Sequence, residues 1–423
     1  MKQAILIFED EFVKNLFPLA YTRPVYDLRC GILTIKEKIE RDLPDYTIIL
    51  HARNYLTDVI KAKFPSAYVN EIPDEIDECI LINGTIIPED NIKNLPALNN
   101  TEETIYLNNQ RVAFARIKEK NIKKLAGLLN STINFNNFEG ITRVKTDVKL
   151  ALYPWDFVNN NGSQIKLDFL RLVNKGENNI RGEIYEGVHL INKQSIYIGE
   201  GSKIKPGVVI DAEEGPVFID REVTVFPNAV IEGPCYIGRA SKIKTGAKIY
   251  ENTSIGPVCK IGGEVEESIV HSYSNKQHDG FLGHAYLGQW VNLGADTNNS
   301  DLKNNYSNVR VFINDEPVDS GSMFVGLTMG DHSKSAINTM FNTGTVVGLC
   351  ANIFGAGFPE KYIPSFTWGF GSGMSTYRLE KSFEVAAKVM KRRNIDFTEA
   401  DKKLLSKIFE LTSEERKKRN LPE

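Results

Sequence analysis

The sequence predicts an α/β layer domain over residues 1–175, a parallel β-helix over 176–370 and a helical arm over 371–423. Three observations carry this reading. Short apolar runs alternate with helical segments at the start, aliphatic residues recur at every sixth position in the middle, and Lys, Glu and Ala dominate the end. Strand–helix alternation implies a layered sheet, and a short fixed period implies a solenoid.

In the first part, "QAILIF" (3–8), "YTIILHA" (46–52) and "CILIN" (79–83) are apolar runs of strand length, as buried parallel strands require. "ILTIKEKIERDL" (32–43) and "RNYLTDVIKAKF" (53–64) read as helices.

In the middle, aliphatic residues recur at Ile198, Ile204 and Ile210, slip by three, and continue at Ile219, Val225, Ile231, Ile237, Ile243, Ile249, Ile255 and Ile261. Three six-residue sides make one triangular coil, and each aliphatic side chain meets its equivalent one coil away. Gly199, Gly238, Gly256 and Gly262 let the chain turn corners. The register returns at Phe281, Leu287 and Leu293, and loosely at Val325, Ile337 and Leu349. Residues 263–280 and 298–322 are expected to leave the array as polar loops, and long loops on a rigid scaffold carry function.

At the end, "EKSFEVAAKVMKRR" (380–393) and "TEADKKLLSKIFELTSEERKKR" (398–419) are strongly helical, with charges on a solvated face. They are expected to cap the coils or to reach a neighbouring subunit.

Composition narrows the function. Fifty-one basic against 54 acidic side chains leave a net charge of −3, which offers no broad attraction to nucleic acid or to an anionic membrane. Five scattered cysteines, without CxxC spacing, argue against a zinc knuckle or a disulfide framework. The start, "MKQAILIFEDEF", is unlike a signal peptide, and no run approaches the roughly 20 apolar residues of a membrane span. A soluble, cytoplasmic protein acting on small molecules is expected.

The histidine of "NKQHDGFLGHAYLGQWVNLGAD" (275–296) stands in a polar turn just before the returning hexads. A neutral imidazole can accept the proton that an amine or hydroxyl loses on attacking a thioester, which is general-base help of about 10²- to 10⁴-fold. Histidines 271, 278 and 284 raise a metal alternative, against which stands the lack of a clustered carboxylate at ligand spacing.

Residues 275–306, "NKQHDGFLGHAYLGQWVNLGADTNNSDLKNNY", resemble the acetyltransferase half of the bifunctional UDP-N-acetylglucosamine diphosphorylase/glucosamine-1-phosphate N-acetyltransferase family, in its divergent bacterial form. That family has a histidine ahead of "YLG" and then "NIGAGT"; here His278 precedes "FLG", and Asn292 to Thr297 read "NLGADT". The resemblance implies a left-handed coil, a homotrimer, and acetyl-CoA in a groove between solenoids. It implies His278 as general base, with Asp279 or Glu267 to orient it, Glu264 and Asn292 on the amino sugar, and Lys303 and Tyr306 on the sugar phosphate. Ala295, Gly326, Thr343 and Gly344 are implied along the acetyl-CoA. Departures are Phe281 for tyrosine, Asp296 for glycine, and Asp301 and Leu302 for an Asn-Tyr pair.

The stretch "PLAYTRPVYDLRCGILTIKEKI" (18–39) extends the resemblance to the same family's nucleotidyltransferase-like, Rossmann-like α/β domain. It implies UTP as partner, with Thr22 and Arg23 matching the end of a "GxGTR" loop and Arg29 and Lys38 supplying charge for phosphates. The loop's glycines are absent. Mg²⁺ is implied too, yet Thr85 stands where an aspartate holds it in the family, leaving Glu89, Asp90 or Asp156 as possible sources. Two other readings follow from the same residues. One is acetyl transfer to another amino sugar or sugar nucleotide with an inactive N-terminal domain, and the other is a non-catalytic sugar-nucleotide-binding scaffold.

Overall fold

The computed structural model describes residues 2–174 and 178–421. They form two compact units: Met1–Leu16, Thr22–Arg29 and Leu33–Tyr153 make the first, and Phe17–Tyr21, Cys30–Ile32 and Pro154–Glu423 the second.

The first unit is built on a seven-stranded sheet. The expected apolar runs are its centre: Gln3–Phe8 pairs in parallel with Thr47–Leu50 on one side and Glu78–Asn83 on the other. Tyr68–Val69 extends one edge in parallel, while Arg111–Lys118 joins Glu78–Asn83 antiparallel and continues through Thr104–Asn108 to Thr142–Lys145. Gln3–Phe8 is buried from Ala4 onward, as a strand covered on both faces must be. The helix Ile35–Asp42 starts at a capping box, in which Thr34 accepts from Glu37 N and the Glu37 carboxylate accepts from Thr34 N.

The second unit is a left-handed parallel β-helix with three sides. The first side stacks 183–184, 203–204, 224–225, 242–243, 260–261 and 275–276; the second stacks 189–191, 209–211, 230–232, 248–249, 264–266 and 281–283; the third runs from 196–198 to 362–363 in nine strands. Ile219, Ile237 and Ile255 are direct partners, so the eighteen-residue period of the sequence is the coil. Their side chains, with those of the other hexads, fill a continuous core.

Corners need left-handed backbone, and non-glycine residues supply much of it: Glu222, Asn228, Ala240, Asn252, Val258, Tyr273, Trp290 and Asp296 all have φ between 54° and 61°. A buried serine closes one corner repeatedly. Ser202, Ser241, Ser274 and Ser333 each donate to a carbonyl of the next coil, at Asp220, Gly256, Gly288 and Gly348. Each accepts in return from an N–H of that coil, at Val223, Cys259, Val291 and Ala351.

Three expectations change. Residues 263–280 are no loop but a tight coil, with strands Glu264–Glu266, Ile269–Ser272 and Asn275–Lys276. Its inward residues, Val265, Val270 and Lys276, are unevenly spaced, which hid the repeat. The inward residue after it is Leu282, the partner of Val265, and Phe281 points outward beside Glu264. Ile337 is exposed, because the coil resumes in a new register at Met329, Phe341 and Val347. Residues 298–322 do leave the array, carrying the hairpin Arg310–Ile313/Glu316–Asp319.

The expected boundary at 175/176 lies outside the described residues. The helix Pro154–Leu172, on the N-terminal side of that boundary, belongs to the second unit. Phe157 meets Tyr286 edge-on at 6.3 Å and Phe169 meets Phe218 at 6.4 Å. Asn161 donates to Asn252 O at 2.7 Å, beside Gly162, where any Cβ would collide with the Asn252 side chain. The arm forms helices Leu379–Lys391, Glu399–Leu411 and Ser413–Lys417, and Arg393 reaches the coil at Asn275 Oδ1, 3.1 Å away.

Candidate active site

The turn carrying His278 joins the first side to the second. Its foundation is a residue that the sequence reading passed over. Lys276 occupies the inward slot above Ile261, 1% exposed, where every lower coil has an aliphatic residue. Its ammonium donates to Gly262 O at 2.9 Å and to His278 O at 3.1 Å. Gly263 makes room: at φ 69°, an added Cβ would lie 2.6 Å from Lys276 Nζ and 2.7 Å from His278 O. Burial pushes the Lys276 ammonium down to about 8, against the pull of Asp279, Glu264 and Asp296. The signal for this residue was a cation in phase with the aliphatic column, visible only once the short coil is recognised.

His278 itself is exposed, and its ring has no hydrogen-bond partner among the described residues. Neither Asp279 nor Glu267 holds it; the Glu267 carboxylate accepts from Asn252 Nδ2 at 2.6 Å. Glu264 opens the second-side strand one coil below and pairs with Lys248 Nζ at 3.1 Å. Asn292 lies on the first side one coil above Asn275, whose amide donates to it at 3.3 Å. Glu264, His278 and Asn292 therefore border one corner on three successive coils. Asp296 takes the left-handed corner position at φ 55° with its side chain exposed, so the backbone tolerates it in place of glycine.

The remaining solenoid candidates sit elsewhere. Lys303 and Tyr306 lie in the insertion, where Lys303 Nζ donates to Asn308 O and Tyr306 is 68% exposed. Gly326 and Gly344 are required by packing: an added Cβ would lie 1.9 Å from Gly283 O at the first and 2.7 Å from Val309 Cγ1 at the second. Thr343 is buried and receives Lys361 Nζ at 3.4 Å. Ala295 is half-buried at the corner beside Asp296.

In the first unit Arg23, Arg29 and Lys38 are buried, and Thr22 is half-buried. Arg23 Nε lies 4.0 Å from Asp27, which also binds Lys63 at 2.5 Å. At the end of the first strand the sequence reading missed Glu9, and it missed Arg111 as the partner of Asp10. Glu9 accepts from Val25 N at 2.9 Å, Arg53 N at 3.0 Å and the Arg53 guanidinium at 3.1 Å, and Arg53 also donates to Arg23 O. Asp10 is clasped by Arg111 through Nε and Nη2, and Arg111 donates to Thr85 Oγ1 at 2.9 Å. Of the expected magnesium carboxylates, Glu89 pairs with Lys149 and Asp90 accepts from Asn94, while Asp156 belongs to the second unit. The carboxylate beside Thr85 is thus already neutralised by a guanidinium. These residues do not fit a divalent ion as arranged.

A family model described as sugar nucleotidyl transferase matches residues 5–177. The bifunctional protein GlmU of Wigglesworthia glossinidia brevipalpis is 25% identical over 225 residues, covering 52% of this chain and 43% of that protein. A bifunctional sugar-1-phosphate nucleotidylyltransferase/acetyltransferase of Sulfurisphaera tokodaii is 29% identical over 402 residues, covering 81% of this chain and 93% of that one. Among solved structures, the UDP-N-acetylglucosamine acyltransferase of Francisella novicida covers 54% of this chain and 88% of its own at 13% identity and a TM-score of 0.28. The chain spans about two fifths of the length of the first GlmU proteins it matches.

A match to a sugar nucleotidyl transferase model followed by a hexapeptide solenoid is a layout similar to that of two-domain nucleotidyltransferase/acetyltransferase proteins. Within that layout the chain is similar, at modest identity, to the GlmU proteins and to the bifunctional enzyme of Sulfurisphaera tokodaii.

Proposed function

We propose that the solenoid transfers the acetyl group of acetyl-CoA to the amine of glucosamine 1-phosphate, and that the N-terminal domain then joins the product to UMP from UTP, giving UDP-N-acetylglucosamine. The observation that carries the first half is the exposed imidazole of His278, on a turn pinned from beneath by Lys276 and bordered by Glu264 and Asn292. In this reading the sugar nitrogen attacks the thioester carbonyl, the C–S bond breaks, and the nitrogen's proton passes to the His278 ring. Glu264 and Asn292 orient the sugar, and backbone N–H groups at the coil edge receive the developing oxyanion. The exposed corner suits a groove completed by a second copy, in a cytoplasmic homotrimer. In the second half, a phosphate oxygen of the acetylated sugar attacks the α-phosphorus of UTP and pyrophosphate leaves.

The ion pairs at Glu9 and Asp10 favour a second reading, in which only acetyl transfer survives. Carboxylates and guanidinium groups there occupy the strand end at which α/β sheets bind phosphates. Incubation with glucosamine 1-phosphate, acetyl-CoA and UTP, following thiol and pyrophosphate separately, decides between them. Release of both supports the bifunctional reading, and thiol without pyrophosphate supports the second. Absence of thiol release with any hexosamine phosphate or amino-sugar nucleotide refutes acetyl transfer.

A further inference from the structure

One corner further along the same coils, where the second side turns into the third, Glu266, His284 and Asp301 come together from three successive coils. Their ligand atoms all lie within 4.8 Å of one another. We infer that these three side chains form a binding site for one divalent transition-metal ion of the zinc class.

The donor set is one imidazole nitrogen and two carboxylate oxygens, which suits zinc with three protein ligands and one open position. The imidazole is already fixed. His284 Nδ1 lies 2.9 Å from Asp301 Oδ2, and Phe324 stacks on the ring at 5.0 Å and 22°. The backbone holds these coils in place: Glu266 and Gly283 are register partners, Gly326 N donates to His284 O, and Val325 N to Asp301 O. Glycine at 283 is what lets the carboxylate in, because an added Cβ would lie 2.4 Å from Asp301 Oδ2.

The charge is unbalanced. The Glu266 carboxylate accepts no hydrogen bond among the described residues and lies within 4.8 Å of an Asp301 oxygen. Glu251 and Glu264 stand near enough to add to the negative potential there. A dication would neutralise this corner where a single imidazole does not. The His284 and Asp301 side chains remain 15% and 12% exposed, which leaves solvent access for a fourth ligand.

The position gives the ion a structural task. Asp301 and Phe324 flank the insertion, which is closed at its root by the bridge between Leu302 and Phe324. An ion here would tie that root to two lower coils. The sequence reading set His284 against His271 and His278, but His271 is buried on the third side and His278 stands at a different corner. The actual companions are carboxylates 18 and 17 residues away on neighbouring coils.

The test uses the full-length, tag-free chain stripped with a chelator and titrated with Zn²⁺, with Co²⁺ as a spectroscopic probe. One zinc per chain, visible Co²⁺ absorption of a tetrahedral site, and a Tm raised by zinc are expected. Glu266→Gln is the mild variant, because its carboxylate has no bond to lose. His284→Asn is the second, because asparagine accepts the left-handed φ of 45° at that position. With folding confirmed by circular dichroism, each should weaken zinc binding by roughly tenfold or more and remove the Tm rise. Failure of the stripped wild-type chain to take up zinc, or equal uptake by Glu266→Gln, would overturn the site. The proposal stands apart from acetyl transfer, since none of these readouts is an activity.

Discussion

Lys276→Met separates stability from catalysis at the proposed acetyl-transfer site. Methionine has nearly the length of lysine and suits the aliphatic slot above Ile261, but it offers no donor to Gly262 O or His278 O. Burial lowers the lysine from its ordinary 10.5 to about 8, which amounts to roughly 3 kcal/mol of stability withheld from the folded chain when the amine is protonated. Below pH 8 both folded and unfolded chains carry the proton, so that cost is fully present. Between about 8 and 10.5 the unfolded chain keeps a proton that the folded chain has shed, and stability therefore rises with pH. Above that window the cost is gone.

The variant has no such linkage. At pH 7 its unfolding free energy should equal wild type or fall below it by up to about 3 kcal/mol, the relieved desolvation offsetting much of two lost hydrogen bonds of about 1.5–3 kcal/mol each. The wild-type curve should gain on the variant's as pH rises from 8 to 10.5. Catalysis should fall as well. A turn freed to shift by an ångström costs on the order of 10²-fold, so kcat for acetyl transfer should fall roughly 10- to 100-fold, with KM for acetyl-CoA little changed. Urea titrations across pH, paired with thiol-release kinetics, give both numbers. A Lys276→Met chain with wild-type kcat refutes the positioning role, and parallel stability curves refute the buried-cation argument.

Four other perturbations follow. His278→Ala should lower kcat for acetyl transfer by about 10²- to 10⁴-fold while leaving the melting curve intact, because the ring touches nothing that holds the coil; calorimetry beside the kinetic assay checks it. Gly263→Ala should lower both stability, by about 1–3 kcal/mol, and kcat, because the new methyl meets Lys276 Nζ and His278 O. Ser274→Ala, which leaves Val291 N without its acceptor, should cost about 1–3 kcal/mol in urea unfolding and leave kcat unchanged. Glu9→Ala strands the Arg53 guanidinium and should destabilise the first unit by about 3–5 kcal/mol, read by proteolysis or urea.

Much of the architecture was legible because its causes are periodic. Ile219, Ile237 and Ile255 repeat since each must lie above the last, and the unbroken apolar runs at 3–8 and 79–83 are covered on both faces. The short coil at 263–280 was not legible, since its inward residues include a lysine and keep no constant interval. The helix at 154–172 was assigned by position along the chain, whereas contacts such as Asn161 to Asn252 decide where it belongs. At the candidate sites, motif spacing led to His278 through resemblance. It gave no warning of Glu9 and Arg53, which are 44 residues apart, or of Glu266 beside Asp301. Side chains converging from separate coils or strands leave no local pattern to read.

The serine that closes one corner stands on alternate coils, opposite Val223, Cys259, Val291 and Ala351, so a pair of turns is the interchangeable unit. Since the Ser241 hydroxyl engages only the coil that follows it, excising two complete turns, one with the serine and one without, would leave every hydroxyl beyond the cut with an equivalent carbonyl and N–H to meet. The distance from the first coil to the His278 turn is therefore a length that evolution or a designer can adjust in steps of two rungs, without redrawing the turn itself.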